Sequence, residues 1–297
     1  MRIASNSTAD LLSAINTLRQ QQDKLIEQLS TGKRVNDPSD DPSASSLMVQ
    51  NTAGTIEDDA YLSNVSTLTS QLQTIDSSLS SVITNLQQAI TLGTEGATGT
   101  TNSTDQQTLA AEVEQIKQSV LAAANLTYQG EYVFSGTATS AAPYSADASA
   151  SSGVKYNGND QVNEVEIATG RTIAVNVPGD QIFSASGADV FQALTDLATA
   201  LTNGDTTGIQ TATAEVQTAY NQVNQQRTFY GNAVNTLSSD ETFLNNQVTQ
   251  YASQENTLVG ADTATTVTSL VTTQTAYQAT LSAVSKVVQT SLLDYLK

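Results

Sequence analysis

The sequence predicts a mainly α-helical fold: an elongated antiparallel coiled-coil bundle built from the N- and C-terminal segments, with a small central β-rich insert. Two heptad patterns, one in each half of the chain, predict the helices. Between about residues 130 and 188 the period changes to short β-branched and aromatic runs, which predict the insert. Aromatic residues make up only 5% of the 297 residues, so a compact aromatic core is not expected.

The first heptad pattern lies in the N-terminal half. Apolar residues recur there at alternating spacings of four and three, which is typical of a coiled-coil seam. A second run, from Leu109 to Ala123, has the same rhythm, and we expect Asp105 to cap its helix. The seam positions of the first run are Val65, Leu68, Leu72, Ile75, Leu79, Val82 and Leu86.

The second heptad pattern lies near the C-terminus. Its companion seam positions include the charged residues Arg227, Glu241 and Glu255. We favour an open seam in which these long side chains reach water; the alternative is that they pair with a partner helix and fix its register. The apolar seam positions, each seven residues apart, are Val223, Tyr230, Leu237, Leu244, Tyr251 and Leu258.

The insert separates the two sets of helices. Ile173, Val175 and Val177 alternate cleanly, and Thr169-Gly170 predicts a hairpin turn before them. A short helix should begin near Asp189 and end at Asn203-Gly204. The expected organisation is an N-terminal helix and turn (1–40), N-terminal coiled-coil helices (41–130), the insert (131–188), C-terminal coiled-coil helices (189–258) and a C-terminal helix (259–297).

Charge is distributed unevenly along the chain. The formal net charge is −18, yet residues 1–34 carry five basic and three acidic groups, and residues 256–297 carry two of each. Near-neutral termini can pack side by side, whereas the acidic middle must face water. Ser and Thr, 75 residues together, are mediocre helix formers, so the terminal helices should be marginal until a partner covers them.

Composition excludes several classes of function. The absence of Cys and His excludes thiolate zinc sites, Ser-His-Asp triads and histidine bases, and we expect neither an enzyme nor a cofactor. The acidic balance opposes nucleic-acid binding. Because no run of eighteen apolar residues occurs, membrane insertion is not expected. The N-terminus lacks the apolar stretch of a cleavable secretion signal.

One dense acidic motif runs from Asn36 to Pro42. Three carboxylates within five residues suggest a divalent cation site, but the register of a calcium loop is missing. A capped turn is the favoured interpretation. Gly32 would end the first helix, Asp41 would cap the next, and Pro42 would occupy its first turn.

These residues also carry a family resemblance. The run from Leu29 to Ala44 (LSTGKRVNDPSDDPSA) resembles the N-terminal turn of the bacterial flagellin family, and its Pro-Ser-Asp-Asp-Pro form resembles the hook-associated branch. The C-terminal segments AYQATL and SLLDYL, together with GEYVFSG at residues 130–136, resemble the same branch.

The resemblance implies a structural adapter that joins the flagellar hook, through the first hook-associated protein, to the flagellin filament. It implies export through the flagellar type III system after a cytoplasmic chaperone has held the C-terminal helix. Copies would associate in a ring outside the cell, with the terminal helices lining an inner tube.

Two sets of site residues follow from the resemblance. The assembly turn would comprise Leu29, Gly32, Lys33, Arg34, Pro38, Asp40, Asp41 and Pro42. The inner-tube helix would use Tyr277, Leu281, Val284, Val288, Leu292, Leu293, Tyr295 and Leu296. Two alternatives stay open: filament flagellin itself, and an acidic coiled-coil surface adhesin that uses the β insert.

Overall fold

The structure is a computed structural model that describes the backbone of residues 5–98 and 102–295 and the side chains of residues 9–98 and 102–286. The described chain is mainly helical, as predicted. Its helices are α1 (Ser5–Thr31), α2 (Pro42–Gly96), α3 (Ser103–Ala124), α4 (Gly179–Ile182), α5 (Val190–Asn203), α6 (Thr206–Val259) and α7 (Thr263–Tyr295).

Short strands occupy the middle of the chain and pair in sequence as four two-stranded antiparallel sheets. The hairpin turn at Thr169-Gly170 is confirmed, since Gly170 has a φ of +71° between β5 and β6. The strands are β1 (Thr127–Tyr128), β2 (Glu131–Tyr132), β3 (Tyr144–Ala146), β4 (Val154–Tyr156), β5 (Glu164–Ala168), β6 (Arg171–Ala174), β7 (Ser184–Ala185) and β8 (Ala188–Asp189).

The chain divides into two compact units. The terminal unit comprises residues 1–57 and 246–297, and the central unit comprises residues 58–245. Helices α2 and α6 contribute residues to both units. The division is therefore simpler than the five segments expected from sequence.

The central unit has one large apolar core. Most predicted seam positions are buried in it, because their heptad spacing places them on one face of α2 or α6. Tyr230 is fully buried, and its hydroxyl accepts a 3.1 Å hydrogen bond from the backbone N–H of Val177. The buried seam residues are Val65, Leu68, Leu72, Ile75, Leu79, Val82, Leu86, Val223, Tyr230, Leu237 and Leu244.

Aromatic rings join the insert to this core. Phe134 and Phe183 meet edge to face with their ring centroids 5.2 Å apart, and Tyr144 contacts Phe191 at 5.1 Å. All four rings are buried. A compact aromatic cluster therefore exists where the insert meets α5, although aromatic residues are scarce in the chain as a whole.

Helix termini in the central unit follow local chemistry. Asp189 caps α5 as predicted, by accepting from the backbone N–H of Gln192 at 2.9 Å, and Gly204 ends that helix with a φ of +65°. The expected cap of α3 is wrong. Asn102 accepts from the N–H groups of Thr104 and Asp105, each at 2.9 Å, so Asp105 lies inside the helix.

The favoured interpretation of the charged seam positions is also wrong for two of them. Arg227 forms a bidentate pair with Asp76, at 2.7 Å and 3.0 Å, and Glu255 pairs with Lys33 at 2.8 Å. Both partners lie on other helices or turns, as the alternative interpretation required. Glu241 is exposed, as the open-seam interpretation proposed.

The terminal unit is packed differently. Helices α1 and α7 pack against each other within it. Its seam residues Tyr251 and Leu258 are only half-buried. Tyr251 lies over Gly54, where an added Cβ would meet the ring at 2.8 Å, so the glycine permits the close approach of α2 and α6.

Candidate functional site

The candidate site is a clasp in the terminal unit, formed by the turn at residues 31–41 and the turn at residues 258–262. Helix α1 ends at Thr31, and Gly32 adopts a φ of +68°. The Thr31 hydroxyl accepts a 3.2 Å hydrogen bond from the N–H of Lys33. The glycine terminates the helix as the sequence predicted, because L-residues rarely adopt this conformation.

Backbone hydrogen bonds join the two turns. The N–H of Arg34 donates to the carbonyl of Val259 at 2.6 Å, and the N–H of Ala261 donates to the carbonyl of Gly32 at 2.9 Å. Lys33 and Gly260 face each other as an antiparallel bridge. A residue near the N-terminal end of the chain is thus tied to one more than 220 positions away.

Basic side chains reinforce the same connection. Lys33 Nζ lies 2.8 Å from Glu255 Oε1. Arg34 Nη2 donates to the carbonyl of Leu258 at 2.9 Å and to Asp41 Oδ2 at 3.1 Å. The carbonyl of Leu258 lies in the last turn of α6, where a cation also interacts favourably with the helix dipole.

The Asp40 side chain stabilises the turn at residues 31–41 by accepting three hydrogen bonds. Its Oδ1 accepts from Lys24 Nζ at 2.6 Å, and its Oδ2 accepts from the N–H groups of Asn36 and Asp37 at 3.2 Å and 3.3 Å. The hydrogen bond from Lys24, followed by those two backbone bonds, lowers the pKa of the Asp40 carboxyl below its usual range.

Two further aspartates cap helices that leave the clasp. Asp41 Oδ1 accepts from the N–H of Ala44 at 3.0 Å and caps α2, which begins at Pro42 as predicted. Asp262 caps α7 by accepting from the N–H of Ala264 at 3.0 Å. The pKa of Asp41 is lowered first by the Ala44 bond and then by Arg34; that of Asp262 is lowered first by the Thr265 hydroxyl.

These hydrogen bonds support the interpretation of the acidic motif, residues 36–42, as a capped turn. The Asp40 carboxylate accepts from Lys24 and from backbone N–H groups of the turn, and the Asp41 carboxylate accepts from Arg34 and from the N-terminus of α2. Throughout the described residues, no group of three or more carboxylates has the arrangement of a metal site.

The centre of the clasp is a small apolar cluster that the sequence interpretation missed. Val35, Ala44 and Val259 are at most 4% exposed, and Met48 and Leu258 pack against them. The available signal was Val35, the one aliphatic side chain in an otherwise polar turn. Its partner Val259 could not be inferred, because no local pattern links the two positions.

The predicted site residues fall in three places. Lys33, Arg34, Asp40 and Asp41 form the clasp, while Pro38 is exposed at the tip of its turn. In α7, Tyr277 and Val284 are half-buried and Leu281 is exposed. The side chains of Val288, Leu292, Leu293 and Tyr295, and the whole of Leu296, lie outside the described residues.

The terminal unit also displays apolar side chains at its surface. These residues lie on α1, α2 and α7 and are not members of the small buried cluster at the clasp. Exposed apolar side chains mark an interaction site where they form a contiguous patch. They are Leu12, Ile26, Leu29, Leu47, Val49, Ile56, Val267, Val271 and Leu281, each 38–66% exposed.

Two tyrosines with raised pKa values form hydrogen bonds inside the central unit. Burial raises the pKa values of the Tyr144 and Tyr230 hydroxyls, which keeps both phenols protonated. Tyr144 bonds with the Ser184 hydroxyl at 3.0 Å, and Tyr230 accepts from Val177. Both therefore act within the core.

None of the described helices is long and apolar enough to span a bilayer.

Comparison with known proteins assigns the class. The bacterial flagellin N-terminal helical region matches residues 4–139, and the bacterial flagellin C-terminal helical region matches residues 212–296. The chain belongs to the bacterial flagellin family. It is a structural protein of the flagellum and not an enzyme.

Within this family, the chain is similar to hook-associated and junction proteins of the flagellum. The chain is 28% identical over 302 residues to flagellar hook-associated protein 3 of Escherichia coli K12, with 92% of each chain covered. It is 30% identical over 175 residues to the protein of that name from Salmonella typhimurium, covering 59% of this chain and 54% of the relative. The flagellar junction protein FlgL from Legionella pneumophila shares the fold, with a TM-score of 0.62, 14% identity and coverage of 72% and 100%.

Proposed function

We propose that this protein is the adapter between the flagellar hook and the flagellin filament, and that its terminal unit is the part that assembles. The observation that carries the proposal is the number of exposed apolar side chains on α1, α2 and α7. The two relatives named hook-associated protein 3 favour the junction over the bulk filament.

The clasp holds together the helices that carry the proposed assembly surface. By tying residues 32–34 to residues 258–261, it fixes where α1 ends and where α7 begins. The apolar residues of both helices are thereby held on one unit before any neighbour binds. Burying them against neighbouring copies would contribute about 25 cal/mol per Å² of apolar surface.

The partners follow from the junction role. Copies of the chain associate in a ring, with the first hook-associated protein on the hook side and flagellin on the filament side. The protein leaves the cell through the flagellar type III system, and a cytoplasmic chaperone holds the C-terminal helix before export. Its final location is extracellular, at the hook–filament junction.

Deletion of the gene tests the adapter role. Cells without the protein should carry bare hooks when imaged by electron microscopy, and flagellin monomer should accumulate in the medium. Complementation with the intact gene should restore filaments. Normal filaments in the deletion strain would contradict the junction role.

Charge substitution tests the inner-tube helix. Val284→Asp or Leu292→Asp should block incorporation, because a carboxylate would be buried without a partner in the assembled tube. Val162→Asp is the matched control, since Val162 is 46% exposed in the central unit. All three variants should be exported and soluble. Normal incorporation of both α7 variants would show that this helix does not line the tube.

A further inference from the structure

A cavity of about 320 Å³ lies in the central unit between α2, the β1–β2 hairpin and the β5–β6 region. Buried Val133 and Val175 form its apolar lining. Its polar lining comes from Thr67 and Gln71 on α2 and from side chains of the insert. The volume lies at the lower end of the range of small-molecule sites.

One wall of the cavity is fixed by its own hydrogen bonds. The N–H of Asn163 donates to Asn176 Oδ1 at 2.6 Å, and Asn176 Nδ2 donates to the carbonyl of Gln161 at 3.3 Å. Asn163 Nδ2 donates to the carbonyl of Gly136 at 3.3 Å. Asn176 is 5% exposed, so this wall is rigid before any ligand arrives.

Five other polar residues of the lining have hydrogen-bonding capacity that the protein leaves unused. Among the described residues, no side-chain hydrogen bond to protein involves these five. Their tips offer two amides, two phenols and one carboxylate. These residues are Gln71, Tyr128, Gln129, Glu131 and Tyr132.

The β1–β2 turn holds Gln129 in an unusual conformation. Gln129 has a φ of +51°, which is uncommon outside glycine, and Gly130 follows with a φ of +88°. Glycine or asparagine would suit the first of these positions better. The conformation nevertheless places a glutamine side chain at the edge of the cavity.

We propose that this cavity binds one or two rings of a neutral sugar. No lysine or arginine among the described residues lines it, and Glu131 would repel an anion. Amide groups donate and accept hydrogen bonds at the same time, which matches the hydroxyls of a sugar. Tyrosine rings present an apolar face to the C–H groups of a sugar together with a polar tip.

Titration of the intact chain with sugars tests the proposal. Saturation-transfer NMR with D-glucose, D-galactose, N-acetyl-D-glucosamine and lactose should give saturable binding to at least one of them, with a Kd on the order of millimolar. Gln71→Ala and Tyr132→Phe should each weaken that binding about fivefold, because each removes one polar partner.

Two further variants separate binding from folding. Gln129→Gly removes the side chain but suits the positive φ, so it should weaken binding while leaving the thermal midpoint unchanged or raised. Gln118→Ala is the matched control, because Gln118 is a helical glutamine outside the cavity and should bind sugar normally.

Three results would overturn the proposal. They are no saturable binding of any of the four sugars, binding that the cavity variants leave unchanged, and binding of choline without binding of sugar. The last result would assign the tyrosines and Glu131 to a cationic ligand.

Discussion

The two units of this molecule bury their apolar residues to very different extents. In the central unit, the seams of α2 and α6, together with α3, α5 and the insert, form one large buried core. In the described part of the terminal unit, the buried apolar cluster comprises Val35, Ala44 and Val259, while nine large apolar side chains are exposed. Two exposed large apolar residues, Val162 and Phe243, lie in the described part of the central unit.

The two units also differ in net charge, which is much more negative in the central unit. The central unit contains 19 acidic and 4 basic residues, a net charge of −15, whereas the terminal unit contains 10 and 7, a net charge of −3. Strong like charge keeps a surface in water, whereas a near-neutral apolar surface can be covered by a copy of itself. The comparison supports the proposals that the central unit is stable alone and that assembly completes the terminal unit.

The largest expected effect comes from removing a core side chain of the central unit. Leu72 is fully buried, so Leu72→Ala should lower the free energy of unfolding by about 3 kcal/mol. Ile56→Ala, at a residue 65% exposed in the terminal unit, should change it by less than about 0.5 kcal/mol. Urea unfolding of the monomer, followed by circular dichroism, measures both. Equal losses would contradict the comparison.

Two glycines with the same backbone angle should respond differently. Gly32 and Gly136 have φ values of +68° and +70°, but a Cβ on Gly32 meets nothing within 4 Å, whereas one on Gly136 collides with the backbone of Asn159. Gly32→Ala should cost about 1 kcal/mol, which is the penalty of the left-handed conformation alone.

Gly136→Ala should cost distinctly more, because the backbone of the insert must also move. Thermal unfolding of the two variants gives the comparison. A larger loss from Gly32→Ala would show that the terminal clasp is more tightly constrained than the insert.

Acid should act on the two units in opposite directions. In the clasp, the lowered pKa values of Asp40, Asp41 and Asp262 mean that these groups stabilise the fold above their ordinary value of 3.8. That contribution is lost as pH falls through the lowered values. Burial instead raises the pKa of Asp189 in the central unit, so its protonation relieves a cost as pH falls.

Limited proteolysis from pH 5 down to about pH 2, with an acid-stable protease, should therefore cleave the two units in a set order. Cleavage sites in α1 and α7 should open before sites in the central unit. The central unit also contains one carboxyl with a lowered pKa, that of Asp147, which accepts a hydrogen bond from the Ser149 hydroxyl in the same loop. Protonation of Asp147 should loosen only that loop. Simultaneous cleavage in both units would contradict the expected order.

The smallest expected effects concern the ion pairs. The bidentate pair between Arg227 and Asp76 is about one-third exposed at each end, and Arg227→Met should cost at most about 1 kcal/mol. The pair between Lys33 and Glu255 is more exposed, at 47% and 35%, and Lys33→Met should cost less. Urea unfolding at low and high salt measures both effects. A larger loss for Lys33→Met would contradict this ranking.

Local chemistry made much of this structure predictable. Gly32, Asp41, Pro42 and Asp189 act at helix ends through contacts within a few residues, and sequence spacing reports such contacts directly. The heptads likewise predict which faces of α2 and α6 are apolar. The same logic misassigned the cap of α3 to Asp105, because two polar residues three positions apart can both fit a cap.

Long-range contacts were beyond sequence reasoning. The bond from Arg34 to the carbonyl of Val259 and the pairing of Arg227 with Asp76 depend on the register of helices distant in sequence. The aromatic cluster in the insert depends on loops that bring residues 134 and 191 together. Composition could show that aromatic residues are few, but not that the fold collects them.

Hydrogen–deuterium exchange of the purified monomer tests the central claim most directly. The amides between Val65 and Leu86 should exchange orders of magnitude more slowly than those of α1 and α7, because only the former lie over a buried core. The amides of α1 and α7 should gain protection when the protein is assembled on hooks. Equal protection of both regions in the monomer would contradict the claim that assembly completes the terminal unit.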